Sequence, residues 1–282
     1  MPEKFDKKYE VCPVCRSAAI HHYHSDYREN TIYKCDSCGV QFMNPVYSDA
    51  YLTEYYAGYI TPEYTQKTID EQHEVCKQNF AAINRFMPNK GEMLDFGMGN
   101  GTYALYARDL GWQVSGYDVD CHTTDELAKK LSMDVRCGDF DRLDWGGKKF
   151  DLIYAHHVVE HLKDPLARLK SFHSIMNKDG YLYIGVPNIS AWGSRIKFFL
   201  EKAGLKKNKV GRYYDSDHHI FYYNPASLNK LLQMSGFKLV YKSNASKPKP
   251  YQNALSKFLR QNIKEKLTAG VAFFVIAQKV DQ

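Results

Sequence analysis

The chain has 282 residues, 44% hydrophobic and 25% charged, which is enough apolar material for one full core and a small appendage. A formal net charge of +6 permits an acidic substrate or partner but does not require nucleic acid. The charged opening MPEKFDKKYE is no secretory signal, and the longest apolar run, residues 269–277, is too short to span a bilayer, so a cytoplasmic protein without a transmembrane segment is expected.

Residues 1–47 form a distinct opening. Cys12-Pro-Val-Cys15 and Cys35-Asp-Ser-Cys38 stand nineteen residues apart, the layout of a zinc ribbon. Each C-x-x-C knuckle aims two thiolates at one ion, so Cys12, Cys15, Cys35 and Cys38 are the expected ligands of a structural Zn²⁺. So small a unit needs metal to hold its shape. His21, His22 and His24 lie between the knuckles, but four thiolates already close the tetrahedron. The odd total of seven cysteines, four of them paired by spacing, points to metal rather than disulfides.

Residues 48–90 are tyrosine-rich and then helical in pattern, with Val75, Phe80, Ile83 and Phe86 on one face and Pro88 and Gly91 closing the helix. From 91 to 282, strand-like and helix-like segments alternate: GEMLDFG, TYALYARDL, WQVSGYDVD, DELAKKLS, MDVRCGDF, FDLIYAHH, PLARLKSFHSIM, GYLYIGVPN, SLNKLLQMSGF, KLVYKS and GVAFFVIAQ. This predicts an α/β fold with a doubly wound, mostly parallel seven-stranded sheet. Two basic insertions interrupt it, at 189–212 and 245–268.

The first strand of the alternation runs into Asp95-Phe96-Gly97-Met98-Gly99-Asn100-Gly101. Glycines there let a ligand approach the backbone at a helix N-terminus. Asp118 ends the next strand, twenty-three residues on, where a carboxylate can accept both ribose hydroxyls of a nucleoside. The third glycine comes one residue early for a dinucleotide fingerprint, with Thr102 in its place. Asp95 precedes the turn, a poor neighbour for pyrophosphate and a good one for a cation. In these residues the chain resembles the Rossmann-like S-adenosylmethionine-dependent methyltransferases: LDFGMGNG is similar to their cofactor loop, GYDVD to their ribose-binding strand end, and GDF at 138–140 to their adenine-contacting segment. The resemblance implies S-adenosyl-L-methionine as cofactor, held by Asp95, Gly97, Gly99, Gly101 and Asp118, with Asp139 at the adenine amino group, Phe140 near its ring, and His156 joining the set. By its residue type alone, Asp139 also reads as a helix cap.

The next strand ends in AHHVVEHLKDP, where His157-x-x-Glu160-His161 has the spelling of an inverted zinc-peptidase helix. A peptidase needs its two histidines on one continuous helix, whereas here a strand ends and Pro165 starts a new helix. The segment also resembles the ubiquinone-pathway O-methyltransferases, which carry E-x-x-E-H there as a divalent-metal contact. Glu160 and His161 match, while His157 replaces the first glutamate, and magnesium prefers oxygen ligands. Three readings stay open: His157 as general base, a metal site, or Glu160 and His161 as loop architecture. A second candidate base, His218 or His219, sits in DSDHHIFYYNPASL, which also reads as a loop packed by Phe221 and Tyr222.

The insertion at 189–212 has seven basic residues, Arg195, Lys197, Lys202, Lys206, Lys207, Lys209 and Arg212, against one acid, Glu201, with Trp192, Phe198 and Phe199 beside them. It reads either as a basic lid suited to an acidic substrate or as a solvated helix, and residues 247–266 as a peripheral membrane or partner contact. A four-cysteine unit ahead of this domain resembles two groups, ribosomal-RNA guanine methyltransferases and sugar methyltransferases of deoxysugar and surface-polysaccharide clusters. The tyrosines of YLTEYYAGY resemble the second, and AHHVV stands where base methyltransferases carry N-P-P-Y. The expectation is therefore a methyltransferase of a small hydroxylated metabolite, a sugar or a phosphorylated or nucleotide-linked sugar, with O-methylation favoured. RNA methylation and a cofactor-binding module without chemistry are the alternatives.

Overall fold

A computed structural model describes residues 3–6, 8–25, 30–57, 66–205, 214, 218–245 and 272–281. The larger sheet is built from β4 (Glu92–Phe96), β5 (Gln113–Asp118), β6 (Asp134–Cys137), β7 (Phe150–His156), β8 (Met176–Pro187), β10 (Phe237–Ala245) and β11 (Ala272–Lys279) in the order β10-β11-β8-β7-β4-β5-β6. The four pairings from β8 to β6 are parallel, and β11 and β10 add antiparallel to one edge. This is the expected mostly parallel seven-stranded sheet.

Helices cover both faces, which is why the central strands read as continuous apolar runs. On one face Leu94, Phe96, Ile153, Ala155, Leu182 and Ile184 pack against Leu166, Leu169 and Phe172 of α5 (Pro165–Ile175) and Leu228, Leu231 and Leu232 of α7 (Pro225–Met234). The alternate residues Met93, Leu152, Tyr154 and Tyr183 meet Cys76, Phe80 and Ile83 of α2 (Gln66–Ile83) and Ala107 of α3 (Thr102–Asp109) on the other. Sequence caps start the helices after the strands: Asp164 accepts from the Ala167 N–H ahead of Pro165, and Asn224 and Ser227 form a capping box ahead of α7.

A four-stranded antiparallel sheet, β1 (Ile20–Ser25), β2 (Thr31–Cys35), β3 (Gln41–Met43) and β9 (Phe221–Tyr222), makes the smaller unit. Its fourth strand comes from the loop ahead of α7, nearly two hundred residues down the chain. Gln41 and Phe42 pair with Tyr222 and Phe221, and Val14, Val40 and Phe42 join the same core as the larger sheet. The opening is thus stitched into the main domain rather than strung beside it.

Several boundaries differ from expectation. Residues 48–90 hold two helices, α1 (Asp49–Ala57) and α2, the latter beginning and ending earlier than its apolar spacing suggests. The helix α4 (Cys121–Leu131) begins ahead of DELAKKLS. Its first residue forms a disulfide with Cys137, against the expectation of metal rather than disulfides. The β5–α4–β6 crossover returns the two residues, 16 apart in sequence, to one sheet edge. Residues 246–271, with almost all of the second basic insertion, lie outside the described residues, as do Lys206, Lys207, Lys209 and Arg212. Among the described residues no helix is long and apolar enough to cross a membrane.

Candidate active site

The carboxyl ends of β4, β5, β6 and β7 meet at one edge, the position where α/β sheets take ligands. The glycine loop leaves β4 and is tied to β5: Gly97 and Met98 N–H both donate to the Tyr117 carbonyl, at 2.7 and 3.0 Å. Gly97 has φ +76°, and a Cβ there would lie 2.4 Å from Val158 Cγ2, so no other residue fits without displacing the β7 loop. Gly101, at φ 78°, caps α3 in the left-handed region. Asp118 Oδ2 accepts from Gly99 N–H at 2.9 Å, which sets the carboxylate across the mouth of the loop. From the other side Gln72 of α2 accepts from Thr102 Oγ1 (3.1 Å) and Asn100 Nδ2 (3.3 Å). Gln72 carries no motif; it stands one turn before Cys76 on the face that α2 turns inward, which the apolar spacing alone did not mark.

Asp95 is 2% exposed, and its Oδ2 has no hydrogen-bond partner. Burial, reinforced by the Asp118 charge, pushes its carboxyl up to about 8, with a backbone bond from Ala104 working the other way. A buried carboxylate with an unused oxygen beside a glycine loop is a fit for a cationic ligand, whose charge would stabilise the ionised form.

The other residues expected at the cofactor are placed unevenly. Asp139 caps a short 3-10 turn, accepting from Asp141 N–H at 3.2 Å, and pairs with Arg142 at 3.0 Å. The cap reading of Asp139 is thereby satisfied, with its carboxylate still at the strand edge. The Phe140 ring is 4% exposed among Phe96, Tyr117, Trp145 and Phe172 and belongs to the core rather than to an open face. His156 is held neutral, its pKa lowered to about 3 by burial and then by the neighbouring His157 charge. Its ring lies 4.9 Å from that of Tyr103 on α3, an aromatic neighbour that the sequence did not single out.

His157 sits just past β7 with φ 57°, a left-handed conformation that turns the chain back on itself. Its Nδ1 lies 3.0 Å from Glu160 Oε1, and its side chain is 45% exposed while that of Glu160 is 1% exposed. A buried carboxylate taking the Nδ1 proton leaves Nε2 as the basic nitrogen. Burial disfavours the charged ring, but the hydrogen bond and charge of Glu160 outweigh it and hold His157 above its ordinary value; Glu160 is held below its own. Residues 159–161 form a 3-10 turn, not part of a long helix, so the peptidase arrangement is absent.

Glu160, His161 and His219 converge, with candidate ligand atoms within 4.8 Å of one another. His161 Nδ1 donates to the His218 carbonyl at 3.1 Å, which leaves its Nε2 for another partner, and Glu160 Oε2 is buried with no hydrogen-bond partner. His218 itself turns away: its ring stacks on Tyr51 and Tyr55 of α1, and its Nε2 meets the Tyr51 hydroxyl at 3.2 Å. Of the two adjacent histidines, His219 is the one brought to Glu160.

The ribbon reaches this same loop. Met43 N–H donates to the Ile220 carbonyl, and Ile220 N–H to the Glu160 carbonyl, both at 2.9 Å. Tyr9 hydroxyl donates to the Lys163 carbonyl at 2.9 Å, and Arg16 pairs with Asp164 at 3.2 Å. The helix α6 (Trp192–Lys202), within the described part of the first basic insertion, lies on the ribbon through Phe198, stacked on Tyr23 at 5.7 Å, and Glu201, 3.5 Å from His24. Its Trp192, Ile196 and Phe199 stay exposed.

The four ribbon cysteines cluster, with Sγ···Sγ distances of 3.7 Å for Cys12–Cys38 and 3.6 Å for Cys15–Cys35. A tetrahedral Zn²⁺ with Zn–S of about 2.3 Å has S···S edges of about 3.8 Å, so the donor set and its spacing fit. Metal analysis of the protein is expected to find zinc at the ribbon, and Cys35→Ser to release it. Because β9 and the Glu160 turn hang from the ribbon, that variant should also lose most of any catalytic turnover, while the far-ultraviolet signal of the large sheet persists. Loss of metal with turnover intact would separate the ribbon from the site.

A parallel sheet that opens through a glycine loop between two carboxylates has the build of the Rossmann-like, class I methyltransferases. A family model for a methyltransferase domain matches residues 70–242, well over half the sequence, and the chain belongs to that family. The ubiquinone biosynthesis O-methyltransferase of Parvibaculum lavamentivorans is 29% identical over 100 residues, 34% of this chain and 40% of that protein. That of Bartonella quintana is 31% identical over 113 residues, 37% and 45% of the two chains. The match thus spans less than half the length of either relative. Among solved structures, magnesium protoporphyrin IX methyltransferase from Synechocystis PCC 6803, with bound S-adenosylhomocysteine, superposes with a TM-score of 0.52 at 13% identity over 82% of this chain and 95% of that one. A SAM-dependent methyltransferase from Methanosarcina mazei gives 0.52 at 17% identity over 71% and 98%. These likenesses are of fold.

Proposed function

We propose that the protein is an S-adenosylmethionine-dependent methyltransferase that places a methyl group on a hydroxyl of a small metabolite, a sugar or a phosphorylated or nucleotide-linked sugar. The observation that carries this reading is the His157–Glu160 pair, set on the turn whose Val158 packs against the glycine loop. The cofactor, when bound, supplies an electrophilic methyl on a sulfonium. Asp95 would face its positive end, the backbone from Gly97 to Gly101 would lie along it, Asp118 would accept the ribose hydroxyls, and Asp139 would lie toward the adenine. His157 Nε2 would take the acceptor's hydroxyl proton as the methyl passes from sulfur to oxygen, the sulfur leaving as a neutral thioether, and Glu160 would steady the imidazolium. Most of the acceleration comes from alignment of the two reactants, worth up to roughly 7–11 kcal/mol. The similarity to ubiquinone biosynthesis O-methyltransferases supports oxygen as the acceptor atom, and the basic residues of α6 support an acidic acceptor.

Incubation with cofactor labelled in its methyl group, against nucleotide-linked sugars and against RNA, tests the reading. Label should appear as a sugar ether that resists alkali. Label in RNA, or in no pool at all, contradicts it. A second reading is favoured by Glu160, His161 and His219 together with the unsatisfied Glu160 Oε2: a divalent ion held at that cluster, with a nitrogen-rich set that suits zinc or a late transition metal better than magnesium. It requires metal beyond the ribbon's one ion per chain and its selective loss in His219→Ala.

A further inference from the structure

Cys121 and Cys137 are joined at the adenosine side of the site. Asp118 and Cys137 are lateral partners in the β5–β6 register, and Cys121 stands three residues beyond Asp118 as the first residue of α4. Gly138 and Asp139 follow Cys137 directly, and the Tyr117 hydroxyl donates to the Gly138 carbonyl at 2.6 Å. The disulfide therefore clamps the start of α4 to the strand end that carries Asp139, with Asp118 between them. Through α4 it also reaches the glycine loop: Leu127 and Leu131 pack with Met98, and a Cβ on Gly101 would touch both leucines. Cys121 is exposed, so a small thiol has access to it. In a compartment kept reducing, a disulfide of this kind is more often a redox sensor than a permanent staple.

We propose that the Cys121–Cys137 pair is a redox modification site that sets cofactor affinity, a proposal that rests on the cofactor reading above. Its co-reactant is a low-molecular-weight thiol–disulfide couple of the glutathione class. In the reducing direction a thiolate attacks the Cys121 sulfur; the Cys121–Cys137 bond breaks and Cys137 leaves as a thiolate, which takes up a proton. A second small thiol then resolves the mixed disulfide on Cys121, giving two protein thiols and one small disulfide, with two electrons and two protons moved to the protein. Oxidation is the reverse, with a small disulfide as electron acceptor. The oxidised protein has the Asp118 and Asp139 segments already held in place, so it binds the cofactor more tightly. By reciprocity, bound cofactor makes the disulfide harder to reduce.

The test uses the full chain equilibrated in glutathione buffers of graded poise. The disulfide is scored by alkylation and peptide mass spectrometry, ribbon zinc by metal analysis, and S-adenosylhomocysteine affinity by calorimetry. Affinity should fall at least about fivefold as the pair is reduced with zinc retained, and Cys121→Ser and Cys137→Ser should bind like the reduced protein at every poise. Equal affinity in both states overturns the proposal, as does a Cys121–Cys137 pair that stays as thiols in the most oxidising buffer. If S-adenosylhomocysteine binds neither state, the cofactor reading itself fails, and this inference falls with it.

Discussion

His157→Ala should lower turnover by about 10²–10⁴-fold, the usual contribution of a positioned general base, with S-adenosylhomocysteine affinity nearly unchanged. The reason is positional. The side chain is 45% exposed, so its loss leaves no cavity, and its Nδ1 is taken by Glu160. Glu160→Gln separates orientation from packing: the amide keeps the shape but no longer fixes the tautomer, so turnover falls while the fold stands. Steady-state kinetics with a methyl acceptor check both variants. Full activity in His157→Ala would assign this turn to architecture and shift attention to His219, which lies against the same carboxylate.

Two carboxylates should dominate cofactor affinity. Asp118→Ala removes the carboxylate that accepts from Gly99 N–H and that is proposed to hold the ribose, and cofactor binding should weaken by about 1.5–3 kcal/mol. Asp95→Asn has a different signature, set by its raised pKa. The unfolded chain carries an ordinary aspartate at 3.8, while the folded, unliganded protein holds the proton up to about 8. Native protein therefore binds the proton more tightly, so this group's contribution to stability is fully present below 3.8 and is lost as pH rises toward 8. Asparagine is neutral throughout. Asp95→Asn should melt higher than wild type at pH 8 and about equally at pH 4, yet bind the cationic cofactor more weakly. Thermal melts across that range and calorimetry read the two effects separately, and lowered stability at pH 8 would contradict the account.

Local pattern revealed much of this molecule. The alternation from residue 91 onward produced the sheet, because buried parallel strands must be apolar on both faces and the intervening helices need only one. The glycine run and the two aspartates were visible because the turn and strand ends they occupy belong to one strand–helix–strand unit. What stayed hidden depends on distant parts of the chain. Phe221–Tyr222 is too short to read as a strand, and only its pairing with Gln41–Phe42 makes it one. That pairing carries Ile220 to Glu160 and turns the adjacent histidines apart, so nothing local could say that His219 lies against Glu160 while His218 stacks on tyrosines. The Cys121–Cys137 bond likewise follows from the crossover geometry, not from spacing. Phe140 was placed near a ligand by resemblance, and the aromatic cluster beneath the strand ends keeps its ring in the core.

The loop between Asp95 and Asp118 is proposed to hold a cationic nucleoside. Calorimetry of S-adenosylmethionine and NAD against the wild-type protein, repeated near pH 7 in buffers of different ionisation enthalpy, tests it most directly. S-adenosylmethionine should bind in the micromolar range with release of a proton from Asp95, and NAD should give no heat. Binding of NAD in its place, or S-adenosylmethionine binding with no proton released, would contradict it.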